Sequence, residues 1–379
     1  MNILHLCNAF SSNELYNNLF NSISYNNKKL KQYVFITTRN SNKKIISKTL
    51  TNSITIIKPF KYKFTYKLFF TCKIKNSYNH ILNNINITNI NVIHAHTLFS
   101  DGAIAYKLNK KYKINYIVAI RNVDINFYFK YLFIYKKLGL NILLNASKII
   151  IITPSYKNIL LEKYIPTSIK ESISSKIIII PNGIDNFWFQ NINYISNRTF
   201  NFSNINLLYV GDFKYNKNVH SILSAFIMLQ KSNYNLNLFL VGSGSLYELF
   251  LKIYSFLFLI PKIHFIKRLT NKLDLLNVYQ NSDIFIMPSH NETFGLVYIE
   301  SLTQNIPIIY SRNQGVDGFF NDSRVGISVN SKNVTELYLA VKNIINNYSY
   351  FQNNCIKESL RFNWDDISKE YLILYRNIY

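Results

Sequence analysis

Glycine is missing from the first 101 residues, and eight of the ten glycines lie at Gly183 or beyond. A chain this sparing keeps glycine where a tight turn or a close backbone approach demands it, so the second half is expected to hold the ligand. Cysteine is almost absent: Cys7, Cys72 and Cys355 are far apart, and no two form a C-x-x-C pair. That excludes a disulfide framework or a zinc knuckle and fits a reducing compartment. Long apolar runs are also wanting, since Leu246–Ile260 is interrupted by Glu248 and Lys252 and stops at Pro261. A bilayer span needs about 20 apolar residues, so a soluble or peripheral chain is expected. Met1-Asn-Ile-Leu-His-Leu has neither the charged flank nor the small-residue site of a targeting segment and reads as a first strand. Asp-x-Asp occurs nowhere, and neither does a Ser-His-Asp or His/Cys constellation. No repeat of solenoid period is visible.

What is present is apolar enough to fold: 48% of the 379 residues are hydrophobic and 16% aromatic. That length exceeds one core, so two domains are expected. Short β-branched runs alternate with helix-length segments. In the first half they are 2–6, 33–37, 92–95, 115–120, 148–153 and 177–181; in the second, 206–210, 236–241, 263–266, 283–287 and 306–310. Such alternation predicts two parallel sheets with helices on both faces, parted by an irregular linker over about 184–204.

Charge divides the chain as well. Residues 1–184 carry 26 Lys and Arg against 5 acids, whereas 185–379 carry 17 against 14. AT-rich codon usage would load both halves alike, so the first domain is expected to face something anionic.

Three strand ends of the second half carry candidate chemistry: Val210-Gly-Asp-Phe-Lys-Tyr-Asn-Lys, Val241-Gly-Ser-Gly-Ser, and Pro288-Ser-His-Asn-Glu-Thr-Phe-Gly-Leu-Val-Tyr-Ile-Glu. In the third, a helix is expected to open near Thr293–Gly295, aiming the amides of Phe294, Gly295 and Leu296 at an anion. Glu292 then stands before that helix and Glu300 roughly two turns inside it, both able to accept from sugar hydroxyls. A capping carboxylate and a solvated helical Glu are the plainer alternative.

With Val92-Ile-His-Ala-His-Thr-Leu-Phe-Ser-Asp-Gly, Ile180-Pro-Asn-Gly-Ile-Asp and Gly315-Val-Asp-Gly-Phe-Phe added in the same order, the sequence resembles the family 4 glycosyltransferases. Arg121-Asn-Val-Asp-Ile-Asn is similar to the branch that makes bacterial surface polysaccharides. The resemblance implies an α/β protein of GT-B fold, with two Rossmann-like doubly wound parallel-sheet domains facing across a cleft. Residues 1–184 would be the acceptor side and 185–364 the nucleotide-sugar side, with helix 365–379 packing back on the first domain. Glu292, His96 and Lys217 would be the catalytic residues. Gly211, Lys217, Arg268, Glu292, Phe294, Gly295, Leu296, Val297 and Glu300 would hold the donor, and Arg121 and Asp124 the acceptor. His94 reads instead as a packed strand residue.

By the same resemblance the co-substrate is a UDP- or GDP-sugar, no cofactor or metal is implied, and the acceptor is a saccharide or a lipid diphosphate. The place of work would be the cytoplasmic face of the membrane, with the basic first domain on an anionic lipid surface through Lys58, Lys61, Lys63, Lys67 and the aromatics Phe60, Tyr62, Phe64 and Tyr66. Two departures stand out. Asp212 replaces the usual Arg after the strand glycine, leaving Arg268 as a substitute cation, and Leu6-Cys-Asn-Ala-Phe-Ser-Ser lacks the usual first-loop glycines. A nucleotide-sugar 2-epimerase, a GT-B scaffold without activity and a basic nucleic-acid-binding protein are the other readings; for the last no RNA-binding signature accompanies the Lys/aromatic run, so nucleic acid is not an expected partner.

Without an Asp-x-Asp pair, Lys217 and helix amides are left to neutralise a departing diphosphate. Sugar transfer is therefore expected to keep its full rate in EDTA. Loss on chelation, with recovery on adding Mg²⁺ or Mn²⁺, would contradict this.

Overall fold

The apolar runs become strands buried on both faces, as parallel sheets under helices require. The computed structural model describes residues 1–8, 10, 14–38, 50–61, 70–192, 200–232, 234–256, 262–320 and 324–379. They form two units, one of Met1–Ile152, Tyr156–Gly183 and Trp364–Tyr379, the other of Thr153–Ser155 and Ile184–Asn363.

The first unit contains β1 (Asn2–Leu6), β2 (Lys31–Phe35), β3 (Thr37–Thr38), β4 (Ile54–Ile56), β5 (Phe60–Lys61), β6 (Val92–Ala95), β7 (Asn115–Ile120), β8 (Lys148–Ile151) and β9 (Ile177–Ile179). Seven make one sheet in the order β4-β2-β1-β6-β7-β8-β9, while β3 and β5 pair separately. The second unit has β10 (Ile205–Val210), β11 (Leu236–Gly242), β12 (Ile263–Lys267), β13 (Ile284–Met287), β14 (Ile308–Ser311) and β15 (Gly326–Val329), in the order β12-β11-β10-β13-β14-β15. Every pairing is parallel. Both units are thus Rossmann-like α/β layers, in the class expected. In each the strand order reverses once, between β1 and β6 and between β10 and β13. At such a reversal the connections leave in opposite directions and open a crevice at the strands' carboxyl ends.

The last helix, Trp364–Ile378, belongs to the first unit. Trp364, Ile367, Tyr371, Leu374, Tyr375 and Ile378 recur at three- and four-residue spacing and are buried, which gives it one apolar stripe. The stripe joins Tyr16, Leu19, Phe20 and Ile23 from the Glu14–Asn26 helix in the unit's core. Asn115 Nδ2 caps its far end by donating to the Ile378 carbonyl at 2.8 Å. At its near end the Trp364 indole lies on Gly183, where an added Cβ would stand 2.7 Å from Cδ2 of the ring.

No described helix is long and apolar enough to cross a membrane. Of the aromatic run expected to meet lipid, Tyr62, Phe64, Tyr66, Lys63 and Lys67 lie outside the described residues. Phe60 is half-buried, with its ring 5.4 Å from that of His80.

Gly183→Ala should lower stability by about 1–3 kcal/mol, because a buried indole cannot swing aside like a flexible chain end. The check is the urea midpoint. An unchanged midpoint would mean that the terminal helix shifts freely over residue 183.

Candidate active site

At the carboxyl end of the second sheet, successive strands turn on glycine. The Gly211 amide donates to the Val241 carbonyl at 3.0 Å, and the Tyr209 hydroxyl donates to the Asp212 carbonyl at 2.8 Å. Gly242 packs so closely that a Cβ there would stand 1.8 Å from the Gly211 carbonyl oxygen, which no side chain could accommodate. These turns leave a cavity of about 240 Å³ lined by Gly211, Asp212, Gly242, Ser243, Arg268, Val297 and Glu300 among others. Arg268 therefore shares a wall with Asp212. The Asp212 carboxylate is bound by Lys214 at 2.7 Å, which holds it below the ordinary carboxylate range.

Beyond β13 the chain runs from Pro288 through a loop into the helix Leu296–Thr303. Gly295 opens that helix at φ +81°, a left-handed conformation that favours glycine, and presents first-turn amides with no carbonyl one turn back. Phe294 contributes only backbone here, since its ring is buried against Phe319 and Phe362. Glu300 is the fifth residue of the helix, little more than one turn inside rather than two. Its carboxylate accepts from the Tyr279 hydroxyl at 3.2 Å. Burial pushes this carboxyl up to about 7, and the Tyr279 hydrogen bond offsets only part of the effect.

Glu292 and Lys217, 75 residues apart, meet at 2.6 Å. Two loops are stitched together to bring this about. The turn Tyr215–Lys217 ends at Asn218 (φ 60°), whose Nδ2 donates to the Pro288 carbonyl at 2.9 Å and the Ser331 carbonyl at 2.6 Å. The His290 amide donates to the Asn216 carbonyl at 2.8 Å. The Glu292 amide donates to Gln314 Oε1 at 3.1 Å, and Gly315 (φ +55°) passes so close that a Cβ would lie 3.0 Å from Glu292 Cγ. Lys217 and Arg268 both act on the Asp212 carboxylate, so the ammonium's charge is felt at the cavity.

The first unit arranges its candidates differently. β1 and β6 pair with His5 opposite His94, and His96 follows two residues on, so all three rings share one face. They are wholly buried: His5 Nδ1 lies 3.1 Å from His96 Nε2, His5 Nε2 lies 3.1 Å from Gln32 Oε1, and the Tyr375 hydroxyl lies 2.7 Å from His94 Nδ1. Burial lowers all three imidazoles, His5 to about 3, and Arg121 depresses His94 and His96 further. The expectation that His96 faces a sugar is therefore corrected. Side chains alternate along a strand, so whatever buries His94 buries His96 too. The same Arg121 charge, with no carboxylate in the cluster, opposes a cation among the three rings.

Arg121 Nε donates to the His96 carbonyl at 3.2 Å, and its guanidinium lies 5.7 Å from the centre of the Tyr16 ring. Asp124 does not meet that guanidinium as a surface pair. It is buried and accepts from the amides of Leu98, Phe99 and Arg121, and burial lifts its carboxyl to about 6. It is a loop staple, not an exposed acceptor contact. Asp101, which carried no candidate role, accepts from Asn8 and Thr97, and burial raises it to about 7. Tyr279, Gln314 and Asn218 were likewise missed. Only Asn218 left a signal, being an Asn able to take a left-handed turn before a helix.

Residues 196–361 match the family model described as Glycosyl transferases group 1. An uncharacterized glycosyltransferase of Methanocaldococcus jannaschii is 24% identical over 307 residues, covering 78% of this chain and 75% of the relative. Among solved structures, the lipopolysaccharide outer core galactosyltransferase WaaB in its apo form superposes with a TM-score of 0.73 at 15% identity, covering 100% of this chain and 99% of that one. Anabaena HepE in complex with UDP superposes at 0.72 and 13% identity, with 100% of both chains covered.

Removing one partner of a mostly buried ion pair strands the other, so Lys217→Met should cost about 1–3 kcal/mol of stability. Adding Glu292→Gln should restore most of that loss. Additive losses in the double variant, read by denaturant titration, would show that the two side chains are not coupled.

Proposed function

We propose that this chain, a glycosyltransferase of the GT-B fold, moves a hexose-type sugar from a UDP- or GDP-sugar to a lipid-linked or growing saccharide, with retention of anomeric configuration. The setting is surface-polysaccharide synthesis, with the protein peripheral on the cytoplasmic face of the membrane. One observation carries the donor side of this reading: Lys217 and Glu292 are held at 2.6 Å beside a glycine-edged cavity at the switch point of the second sheet. The outer-core galactosyltransferase and the UDP-bound neighbour are consistent with a nucleotide-sugar donor and a glycan product.

The chemistry follows from the donors and acceptors present. An ammonium has three protons, and Lys217 commits one to Glu292, leaving others for a departing diphosphate. The first-turn amides at Gly295–Val297 and the Arg268 guanidinium add positive potential that needs no reorganisation as charge develops. Glu292 accepts from Lys217 on one oxygen and from the Thr293 amide on the other, and its remaining lone pairs suit a sugar hydroxyl. Glu300, in the cavity wall, suits the vicinal hydroxyls of a ribose. Acceleration then comes from positioning and from leaving-group stabilisation, and His96, being buried, carries no step.

Calorimetric titration with UDP and GDP, joined to turnover of a nucleotide-sugar panel, tests the reading. Glu300→Ala should weaken nucleotide binding by roughly 10–100-fold, the loss of a charged hydrogen bond. Because the carboxylate is the form that accepts, wild-type affinity should rise with pH up to about 7 and level off above it. Glu292→Gln should lower kcat by roughly 10²–10³. Wild-type turnover in both variants would refute the assignment.

A further inference from the structure

Between Glu14 and Glu162 the chain has only two acids, Asp101 and Asp124, and both are wholly buried. The lysines of this stretch therefore meet no competing carboxylate at the surface of their own segment. Within it, five large apolar side chains stand in water over 12 residues: Val123, Phe127, Tyr131, Phe133 and Ile134, the last two 79% and 67% exposed. Lys130 and Lys137 are exposed among and just after them. Soluble surfaces seldom leave such a run uncovered.

Next to it lies an open cavity of about 300 Å³ with Phe70, Ile74, Ala103 and Leu138 in its wall and Lys75, Lys107 and Lys110 in its lining. The two features are continuous, because the Phe70 ring lies 4.8 Å from Tyr135 and 6.1 Å from Tyr128. Apolar walls among cations match the order of an anionic phospholipid, acyl chain below and phosphate above. Single-stranded nucleic acid fits less well. It could stack on Phe127 or Tyr131, but it offers nothing to an exposed Ile134.

We propose that Val123–Lys137, with the lysine-bearing cavity beside it, is the surface by which this protein enters an anionic bilayer: Phe133 and Ile134 seat below the headgroups, and Lys75, Lys107, Lys110, Lys130 and Lys137 hold the phosphates. It deepens the lipid-linked acceptor reading and rests on it. It also moves the contact away from residues 58–67, whose described aromatic, Phe60, is packed on His80. Interfacial aromatics and basic side chains working together are what a peripheral anchor requires.

Sedimentation with phosphatidylglycerol vesicles, against phosphatidylcholine vesicles as control, tests the surface. Wild-type protein should bind the former at low salt, with binding falling steeply as salt shortens the screening length. Phe133→Ser/Ile134→Ser should weaken binding by roughly tenfold or more, whereas Lys58→Gln/Lys61→Gln should change it little. In Phe133→Trp, fluorescence should shift to the blue on vesicle addition and be quenched by lipids brominated in the acyl chain. Wild-type binding by the serine variant, absence of quenching, or binding of single-stranded RNA in preference to vesicles would overturn the proposal. Should the serine variant lose UDP binding as well, the tryptophan variant decides alone. UDP binding without vesicle binding sinks this surface and spares the donor site; vesicle binding without UDP binding does the reverse.

Discussion

A parallel strand covered by helices on both faces has no side to offer a ligand; it has only an end. The candidate donor site of this molecule follows from that constraint. In both units the sheet interior is mostly Ile, Val, Leu and Phe, with His5, Gln32 and His94 buried within the first, and the candidate side chains of the second unit gather where the strands stop and the order of strands reverses. In the second unit the stops are made by Gly211 and Gly242 and by the loop leading to Gly295. In the first they are made by the Asn8, Thr97 and Arg121 loops.

The two ends differ in how they treat charge. The second unit pairs acids with cations at the ends of its strands, Glu292 with Lys217 and Asp212 with Lys214. Glu300, bonded to Tyr279, is pushed up toward neutrality by burial. The first unit instead sinks Asp101 and Asp124 into amide and hydroxyl cradles and buries its three clustered imidazoles, whose protonated forms burial disfavours. Between Glu14 and Glu162 its exposed charge is therefore basic, an arrangement suited to a polyanion.

The fold was largely legible in the sequence, and the reasons differ by residue. Strands such as Lys148–Ile151 announce themselves because a doubly buried strand must be uniformly apolar. Short edge strands such as Ile54–Ile56 and Gly326–Val329 did not, being brief and partly polar. Resemblance to a family singled out Lys217 and Glu292 from a 75-residue separation, which no periodicity could have joined. It also selected His96 over His94, where strand parity alone places both rings on one face. Asp124 reads as an acceptor contact because backbone amides leave no trace in a sequence, yet they are what it binds. The exposed run at 123–137 was passed over for the opposite reason, since Phe, Tyr, Leu and Ile in succession read as interior.

The terminal helix gives the first unit an unusual dependence on the order of synthesis. The chain leaves that unit at Gly183 and re-enters it at Trp364, the indole resting on the glycine. Just inside the second unit, the Ile184 amide bonds to the Phe362 carbonyl at 3.0 Å, so its first and last residues are likewise tied. On a ribosome the second unit therefore has all its residues available while the first still lacks the helix that carries Ile367, Tyr371 and Tyr375 into its core. The unit made first is the one completed last. Until its closing helix emerges, the face of β1 and β6 that carries His5, His94 and His96 lacks that cover, and uncovered surface of this kind is where partly folded chains stick to one another.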